Sequence, residues 1–232
     1  MRSFFERFVV LLFCTGLLAI SVHAAQSGAD PSVNQPYQSP RFEQWVQRFE
    51  RPGREVYDQR EQILAAAGIE RGMDVADVGA GTGLFTLLFA EHVGEDGTVY
   101  AVDVSRPFIE QIERRAREHG LSNVRTVVNS QRSVELPADA VDLVFMSDTY
   151  HHFEHPGDML ASIHEALRPQ GELVVIDFRR EPGVSSHWIL QHVRAGQSEV
   201  VEEITAAGFE LVDEADFLQE NYLLRFRKRD RS

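Results

Sequence analysis

Short apolar stretches alternate with longer amphipathic stretches along most of this chain, and the alternation predicts its architecture. Each apolar stretch has the length of a strand, and the amphipathic stretches repeat their apolar residues at helical spacing. Parallel strands need helical crossovers, so this order predicts an α/β fold with helices on both faces of a mostly parallel sheet. We predict strands at 74–78, 99–104, 124–128, 141–146 and 172–177, and helices at 84–92, 107–119 and 156–167.

The two ends of the folded region depart from this alternation. Before the first strand, residues 42–49 and 56–67 have helical spacing, and Gly68 ends the second helix. We interpret the aromatic residues of the first helix as core packing or as a lid over a pocket. After a helix at 198–207, the strands 209–217 and 221–227 are separated by a short turn, so they must pair antiparallel.

The N-terminal segment has the pattern of a secretory signal peptide. Arg2 and Arg7 flank a polar start, residues 8–20 are almost wholly apolar, and Val22-His23-Ala24 has the small-x-small form of a signal-peptidase site. The segment that follows is rich in Ser, Pro, Gln and Asn, which is typical of disorder. We predict a signal peptide at 1–24, a disordered linker at 25–40 and one folded domain at 41–232, with N-terminal helices within 41–67.

This N-terminal pattern predicts a periplasmic or secreted domain, because the positive flank leaves the rest of the chain across the membrane. The alternative is an uncleaved segment that anchors the domain, although its apolar stretch is shorter than the roughly 20 residues of a bilayer span. After cleavage we expect no stable membrane span. The single cysteine, Cys14, lies in the apolar stretch, so the mature chain would have no disulfide and no thiolate ligand.

Composition narrows the function classes. The 232 residues, of which 43% are hydrophobic, suffice for one sizeable core. The formal net charge of −13 disfavours nucleic acid as a partner, because phosphate contacts need a basic surface. We expect a small-molecule partner, and the sequence leaves the oligomeric state open.

A glycine-rich loop follows the first predicted strand and carries the strongest chemical signal. Gly79, Gly81 and Gly83 alternate there, so the backbone can approach a ligand closely. Asp77 ends the preceding strand, and Asp103 ends the second predicted strand, where a carboxylate can accept hydrogen bonds from two ribose hydroxyls.

With the strand Val141-Asp142-Leu143-Val144-Phe145 and the segment Leu167-Arg168-Pro169-Gln170-Gly171, this loop resembles class I S-adenosylmethionine-dependent methyltransferases of the type 11-like group. The resemblance covers roughly residues 72–229. It implies a Rossmann-like, doubly wound, seven-stranded sheet whose C-terminal hairpin is antiparallel. A dinucleotide loop has the spacing Gly-x-Gly-x-x-Gly, so an NAD-dependent oxidoreductase is the less favoured alternative.

The resemblance implies S-adenosylmethionine as the cofactor. It assigns Asp77 to the methionine part, directly or through water, and Asp103 to the ribose. The acidic residue that many members carry after the third strand is absent, and Asn129-Ser130-Gln131 stands there instead. A hydroxyl or amide at this place can still hydrogen-bond adenine, with less strength than a charged group. The cofactor residues that we predict are Asp77, Gly79, Ala80, Gly81, Gly83, Asp103, Val104, Ser130 and Ser147.

A histidine-rich segment, 146–155, follows the fourth predicted strand, where open α/β sheets place their chemistry. His151 or His152 is a candidate general base, because methyl transfer to oxygen or nitrogen must remove a proton from the nucleophile. The alternative is a histidine that only packs beside the cofactor. We expect no metal site, because adjacent histidines in an extended segment point in opposite directions.

A second polar cluster follows the fifth predicted strand, where the resemblance implies the acceptor side. Arginines there could bind a carboxylate or phosphate, or could form salt bridges on an exposed helix. The acceptor is predicted to be a small molecule, with a lipid, a quinone or a protein side chain as alternatives. The candidate substrate residues are Tyr150, Arg179, His192 and Arg194.

An exported methyltransferase presents a conflict, since S-adenosylmethionine is made in the cytoplasm. The cofactor could be supplied outside, the N-terminal segment could fail to export the domain, or the fold could be a noncatalytic ligand-binding module. The glycine loop, Asp77 and Asp103 are all intact, which favours the enzyme.

Overall fold

A computed structural model of the chain describes residues 28–229. The predicted signal peptide at 1–24 lies outside these residues. None of the helices in the described part of the chain is long and apolar enough to cross a bilayer.

The fold is one seven-stranded sheet with the order β3-β2-β1-β4-β5-β7-β6. The first five strands pair in parallel, and β7 lies antiparallel between β5 and β6. The predicted architecture, including the antiparallel C-terminal hairpin, is therefore confirmed. Strands β1 to β7 span Val75–Val78, Val99–Asp103, Val124–Val128, Val141–Ser147, Leu167–Phe178, Phe209–Ala215 and Asn221–Lys228.

Helices cover both faces of the sheet, and within the described residues four further helices precede its first strand in the chain. Helices α1 to α4 precede β1, α5 to α7 connect the parallel strands, and α8 and α9 precede β6. Two 3₁₀ turns occupy Pro31–Asn34 and Tyr150–His152. Helices α1 to α9 span Gln35–Gln38, Phe42–Phe49, Glu55–Asp58, Arg60–Ala67, Leu84–Val93, Arg106–Glu118, Pro156–Ala166, His187–His192 and Gln197–Ala206.

The core is divided by the sheet into two apolar layers. Along β4, Leu143 and Phe145 pack on one face, whereas Val144 and Met146 pack on the other. Successive strand side chains point to opposite faces, so a strand buried on both sides needs a continuous apolar run. This is why the short apolar stretches could be recognised as central strands.

Two segments differ from their predicted structure. Strand β5 begins at Leu167 and not at Glu172, because Leu167 already pairs with Val141 across an irregularity in the register. The prediction of disorder is also wrong for residues 28–40, the described part of the predicted linker. This part contains a 3₁₀ turn and α1, and Ala29 is buried with its N–H donating to the Phe153 carbonyl at 2.8 Å.

Candidate active site

A cavity lies at the carboxyl ends of the parallel strands. It sits where the strand order reverses between β1 and β4, since the chain proceeds outward from β1 to β3 and then returns to β4. Open α/β sheets bind their ligands at this switch point. Its lining comprises Asn34, Tyr37, Phe49, Val78, Gly79, Gly81, Asp103, Val104, Phe108, Asn129, Gln131, Thr149, His152, Phe153 and Met159.

The glycine loop forms the floor of this cavity. Gly79 has a φ of 74°, which favours glycine, and its N–H donates to the Val102 carbonyl at 2.8 Å. A Cβ at Gly79 would overlap the side chain of Thr149. At Gly81, with a φ of 54°, the nearest atom to such a Cβ would be a carbon of the Phe49 ring at 3.6 Å. The loop therefore has no side chain between its backbone and the cavity at these two positions.

Asp103 connects the end of β2 to the glycine loop. Its Oδ2 accepts from the Gly81 N–H at 2.9 Å, and its Oδ1 accepts from the Ser105 N–H at 2.8 Å. Burial raises the pKa of this carboxyl to about 6, although the two backbone donors act in the opposite direction. The carboxylate lines the cavity and has further acceptor positions for a ligand hydroxyl.

Asp77 lies behind the loop and does not line the cavity. It is 3% exposed, and its Oδ2 accepts from the Thr86 hydroxyl of α5 at 2.6 Å. Burial raises its pKa to about 7, with the Thr86 hydrogen bond opposing the shift and Asp103 adding to it. Asp77 thus joins β1 to α5 beneath the loop.

The end of the cavity beside β3 is lined by Val104, Asn129 and Gln131. Val104 is 42% exposed, which leaves an apolar surface for a ligand. The Asn129 amide donates to the Ser130 and Ser133 carbonyls at 2.9 and 3.2 Å, while its buried Oδ1 has no partner among the described residues. The amide oxygen is thus an acceptor still open to a ligand donor.

Four of the predicted cofactor residues, Ala80, Gly83, Ser130 and Ser147, do not line the cavity. Ser130 is exposed and donates to Glu135 at 3.1 Å, because the chain turns there and directs its neighbours inward. Ala80 is buried, and its N–H donates to the Val102 carbonyl at 3.1 Å. The buried Ser147 hydroxyl has no partner among residues 28–229.

Residues 31–49 close the outer side of the cavity. Tyr37 stacks on Trp45 with ring centroids 4.7 Å apart, and Trp45 contacts Phe49 at 5.0 Å. Trp45 also meets Phe108 of α6 edge-on at 6.3 Å. These four residues are the aromatic lid, and three of them, Tyr37, Phe49 and Phe108, line the cavity. Of the two predicted interpretations of this aromatic stripe, the structure favours the lid.

Two ion pairs join the residues directly after α2 to α6 and to the end of β4, and so fix the position of the lid. Arg115 of α6 pairs with Glu50 through two contacts of 2.6 and 3.0 Å and also donates to the Thr82 carbonyl of the glycine loop. Arg54 pairs with Asp148 at 2.6 Å directly after β4. Asp148 has a φ of 51°, an uncommon conformation for a residue other than glycine, and Asn221 of β7 donates to it at 2.6 Å.

The predicted site lacks Asn34 and Tyr37, because the segment before Arg41 is assigned from the sequence to a linker. A local signal was present in Asp30-Pro31-Ser32, since Asp30 accepts from the Ser32 N–H as an N-cap before a proline. What the sequence does not contain is the tertiary contact. Asn34 becomes 9% exposed because its amide donates to the His152 carbonyl and to Glu154, which lie far along the chain.

His151 and His152 occupy the turn after β4, beside the cavity. His151 is 3% exposed, and its Nδ1 lies 2.7 Å from Asp177 at the end of β5. Burial acts to lower the pKa of His151, but Asp177 outweighs it and the pKa is raised. His152 lines the cavity, and burial with two neighbouring histidines lowers its pKa to about 2. His152 is therefore a neutral imidazole and a weak base.

The expectation that adjacent histidines point apart is wrong, because this segment is a 3₁₀ turn and not an extended strand. The rings of His151 and His152 lie 4.1 Å apart by their centroids. His192 of α8 joins them, with its ring centroid at 5.1 Å from His151 and 5.2 Å from His152. These three residues form the histidine cluster.

The remaining predicted substrate residues form structural contacts. Tyr150 is fully buried, and its hydroxyl donates to Glu203 of α9 at 2.6 Å. Arg194 pairs with the same carboxylate at 2.6 and 2.8 Å, so neither residue faces the cavity. Arg179 donates to Gln197 at 3.1 Å and is likewise absent from the lining. Arg194 forms a salt bridge, as the alternative predicts, but its side chain is only 10% exposed and lies between α8 and α9, not on an exposed helix.

Comparison with known families and structures gives a consistent result. Residues 69–228 match the family model of a methyltransferase domain. A crystal structure of a SAM dependent methyltransferase from Aquifex aeolicus is 25% identical with a TM-score of 0.71, covering 79% of this chain and 97% of that one.

Curated relatives match over a shorter part. The ubiquinone/menaquinone biosynthesis C-methyltransferase UbiE of Proteus mirabilis is 29% identical over 118 residues, which are 50% of this chain and 47% of that protein. A demethylmenaquinone methyltransferase of Geobacillus is 25% identical over 118 residues, 51% of this chain and 50% of that protein. The chain thus spans about half the length of the curated relatives that it matches.

Proposed function

The chain belongs to the methyltransferase domain family, and from this premise we propose that it transfers the methyl group of S-adenosylmethionine to a small-molecule acceptor. One observation carries the proposal. The glycine loop, Asp103 and His152 line a single cavity at the switch point of the sheet, so a cofactor site and a place for an acceptor adjoin each other.

The cavity residues fit the cofactor part by part. Asp103 has acceptor positions for the ribose hydroxyls, and Val104 offers an apolar surface to the adenine ring. The unpartnered Oδ1 of Asn129 can accept from the adenine amino group, which replaces the charged acceptor that the sequence lacks. The bare backbone at Gly79 and Gly81 leaves room for the methionine part, and the bound cofactor supplies an electrophilic methyl group on a sulfonium.

The charges of the site also favour placing the methionine part of the cofactor at the glycine loop. The methionine part carries an ammonium and a sulfonium, and the carboxyls Asp77 and Asp103 lie behind and beside the loop. Both carboxyls are costly to ionise, since burial raises their pKa values. A cation bound in the cavity would offset that cost through Coulomb attraction in a desolvated environment. The site is therefore suited to a cationic ligand more than to a pyrophosphate.

The acceptor would lie on the opposite side, under the lid and against His152. A close fit matters there, because methyl transfer is an in-line displacement that depends mainly on proximity and orientation. The lid and the apolar residues Phe153 and Met159 favour an acceptor with an apolar body. The relatives include a demethylmenaquinone methyltransferase, so a quinone precursor is among the first acceptors to test.

Export of the domain is a separate part of the proposal. It rests on the N-terminal pattern of residues 1–24, with its positive start, apolar stretch and small-x-small end. Expression of the full-length chain in bacteria, followed by fractionation and intact-mass measurement, tests it. A periplasmic product that begins at Ala25 supports export, whereas a full-length cytoplasmic product contradicts it.

Methyl transfer is tested by measuring formation of S-adenosylhomocysteine when the purified protein is mixed with S-adenosylmethionine and candidate small-molecule acceptors. We expect acceptor-dependent turnover that Asp103→Ala strongly reduces. The exposed Asp96, before β2, provides the matched control Asp96→Ala. Cofactor binding without turnover across a broad acceptor panel would favour the noncatalytic binding module, and absence of binding would exclude both.

A further inference from the structure

The histidine cluster brings three imidazoles from distant parts of the chain to one point. One ring nitrogen from each of His151, His152 and His192 lies within 4.8 Å of those of the other two. His151 is buried and its two neighbours are partly buried. Three ring nitrogens this close to one another can share a single partner that accepts their lone pairs.

Hydrogen bonds to other residues fix which nitrogens are available. His151 donates from Nδ1 to the Asp177 carboxylate at 2.7 Å, and the same carboxylate accepts from the His151 and Phe178 N–H groups. A carboxylate that orients a histidine in this way is the usual outer partner of a metal ligand. With the proton on Nδ1, the Nε2 of His151 is the nitrogen that can offer a lone pair to a metal ion.

His152 is oriented in the same way by Asn34. The Asn34 amide nitrogen donates to the His152 carbonyl at 3.1 Å and to Glu154 at 2.8 Å, so its Oδ1 faces the ring. That oxygen lies 2.9 Å from His152 Nδ1, which must carry the proton. Again Nε2 keeps its lone pair.

No hydrogen bond among the described residues fixes which nitrogen of the His192 ring carries the proton. Its ring stacks on Trp188 at 4.6 Å. It belongs to the short helix α8, which spans His187–His192. Three neutral imidazoles with an open fourth position are a recurrent ligand set for zinc.

We propose that His151, His152 and His192 bind one divalent transition-metal ion of the zinc class, with its open position toward the cavity that His152 lines. Zn–N bonds of about 2.0 to 2.1 Å in a tetrahedral site place ligand nitrogens about 3.3 Å apart. Where the nitrogens are now up to 4.8 Å apart, the cluster must therefore contract, and α8 is the element that would move inward. The site goes beyond methyl transfer, because it is defined without reference to the cofactor.

The test is a calorimetric titration of ZnCl₂ into the purified, chelator-treated full-length protein without a histidine tag, with Co²⁺ absorption as a second probe. We expect one ion per chain and a dissociation constant in the micromolar range or tighter. His192→Ala should weaken binding at least tenfold, and His192→Cys should retain binding because a thiolate also ligates zinc. The control is His187→Ala, which removes an exposed histidine from the same helix and should not weaken zinc binding.

Asn34→Ala tests the orientation of His152 separately, and we expect a loss of zinc affinity of about tenfold or more. Circular dichroism establishes that each variant is folded. Zinc binding that is absent in the folded wild-type protein, or equal in His192→Ala and His187→Ala, would overturn the site. A parallel titration with S-adenosylmethionine distinguishes failure of the metal site from failure of the cofactor site.

Discussion

The two sides of the cavity are assembled differently. The proposed cofactor side consists of the glycine loop, Asp103 and Asn129, each of which directly follows or ends a strand and is held largely by backbone hydrogen bonds. The proposed acceptor side joins Asn34, His152 and His192 through side-chain contacts between distant segments. A local motif is sufficient to build the first side, whereas the second exists only after the whole domain has folded.

The largest expected effect is on the cofactor side, at Gly79. Gly79→Ala should lower the free energy of unfolding by about 3 kcal/mol, because it combines left-handed strain with overlap against Thr149. Gly120→Ala is the matched control, since Gly120 has a φ of 71° and nothing lies within 4 Å of an added Cβ. Urea unfolding of both variants separates the two terms, and equal losses would show that Thr149 does not restrict the loop.

The second largest effect is expected at Asp103, because its carboxylate accepts hydrogen bonds from the glycine loop and, in the proposal, from the ribose. We expect Asp103→Ala to weaken S-adenosylmethionine binding about 100-fold, or about 2.8 kcal/mol, as two backbone donors and the ribose lose their acceptor. Calorimetry measures the change, with Asp96→Ala as the exposed control. Unchanged affinity in Asp103→Ala would contradict the ribose assignment.

Asp77 gives a pH-dependent prediction for the cofactor-free protein. A carboxyl whose folded-state pKa is raised favours folding at pH below its unfolded value, and that contribution is lost as the pH rises to about 7. Between pH 5 and pH 8, wild type should therefore lose about 2 kcal/mol more stability than Asp77→Asn. Chemical unfolding at several pH values tests this, and parallel pH profiles for the two proteins would disprove it.

The smallest expected effect concerns the acceptor side. Asn34→Ala should lower the free energy of unfolding by about 1 kcal/mol, because it removes hydrogen bonds that join the lid segment to the turn after β4. Gln35→Ala, an exposed position beside it, should have little effect. Thermal unfolding compares the two variants, and identical midpoints would mean that the lid is not held by Asn34.

The sequence predicted the strands and the glycine loop of the proposed cofactor side because their signals are local. Strand lengths, the glycine loop and the carboxylate at Asp103 follow from residue types that are adjacent in the chain. The same reasoning chose Ser130, although its neighbours Asn129 and Gln131 line the cavity, because the direction of a side chain in a turn depends on the fold.

Of the candidate substrate residues, Tyr150, Arg179 and Arg194 contact α9 and do not line the cavity. The histidine cluster required both the 3₁₀ turn after β4 and the position of α8, and neither has a distinct local signal. Contacts between segments that are far apart in sequence account for most of what was missed.

Calorimetric titration of S-adenosylmethionine and S-adenosylhomocysteine into the purified protein tests the central claim most directly, because it needs no knowledge of the acceptor. We predict binding of both ligands at one site per chain in the micromolar range, about −8 kcal/mol. A folded protein that produces no heat with either ligand, and whose thermal midpoint neither ligand raises, would contradict the assignment of this cavity to S-adenosylmethionine.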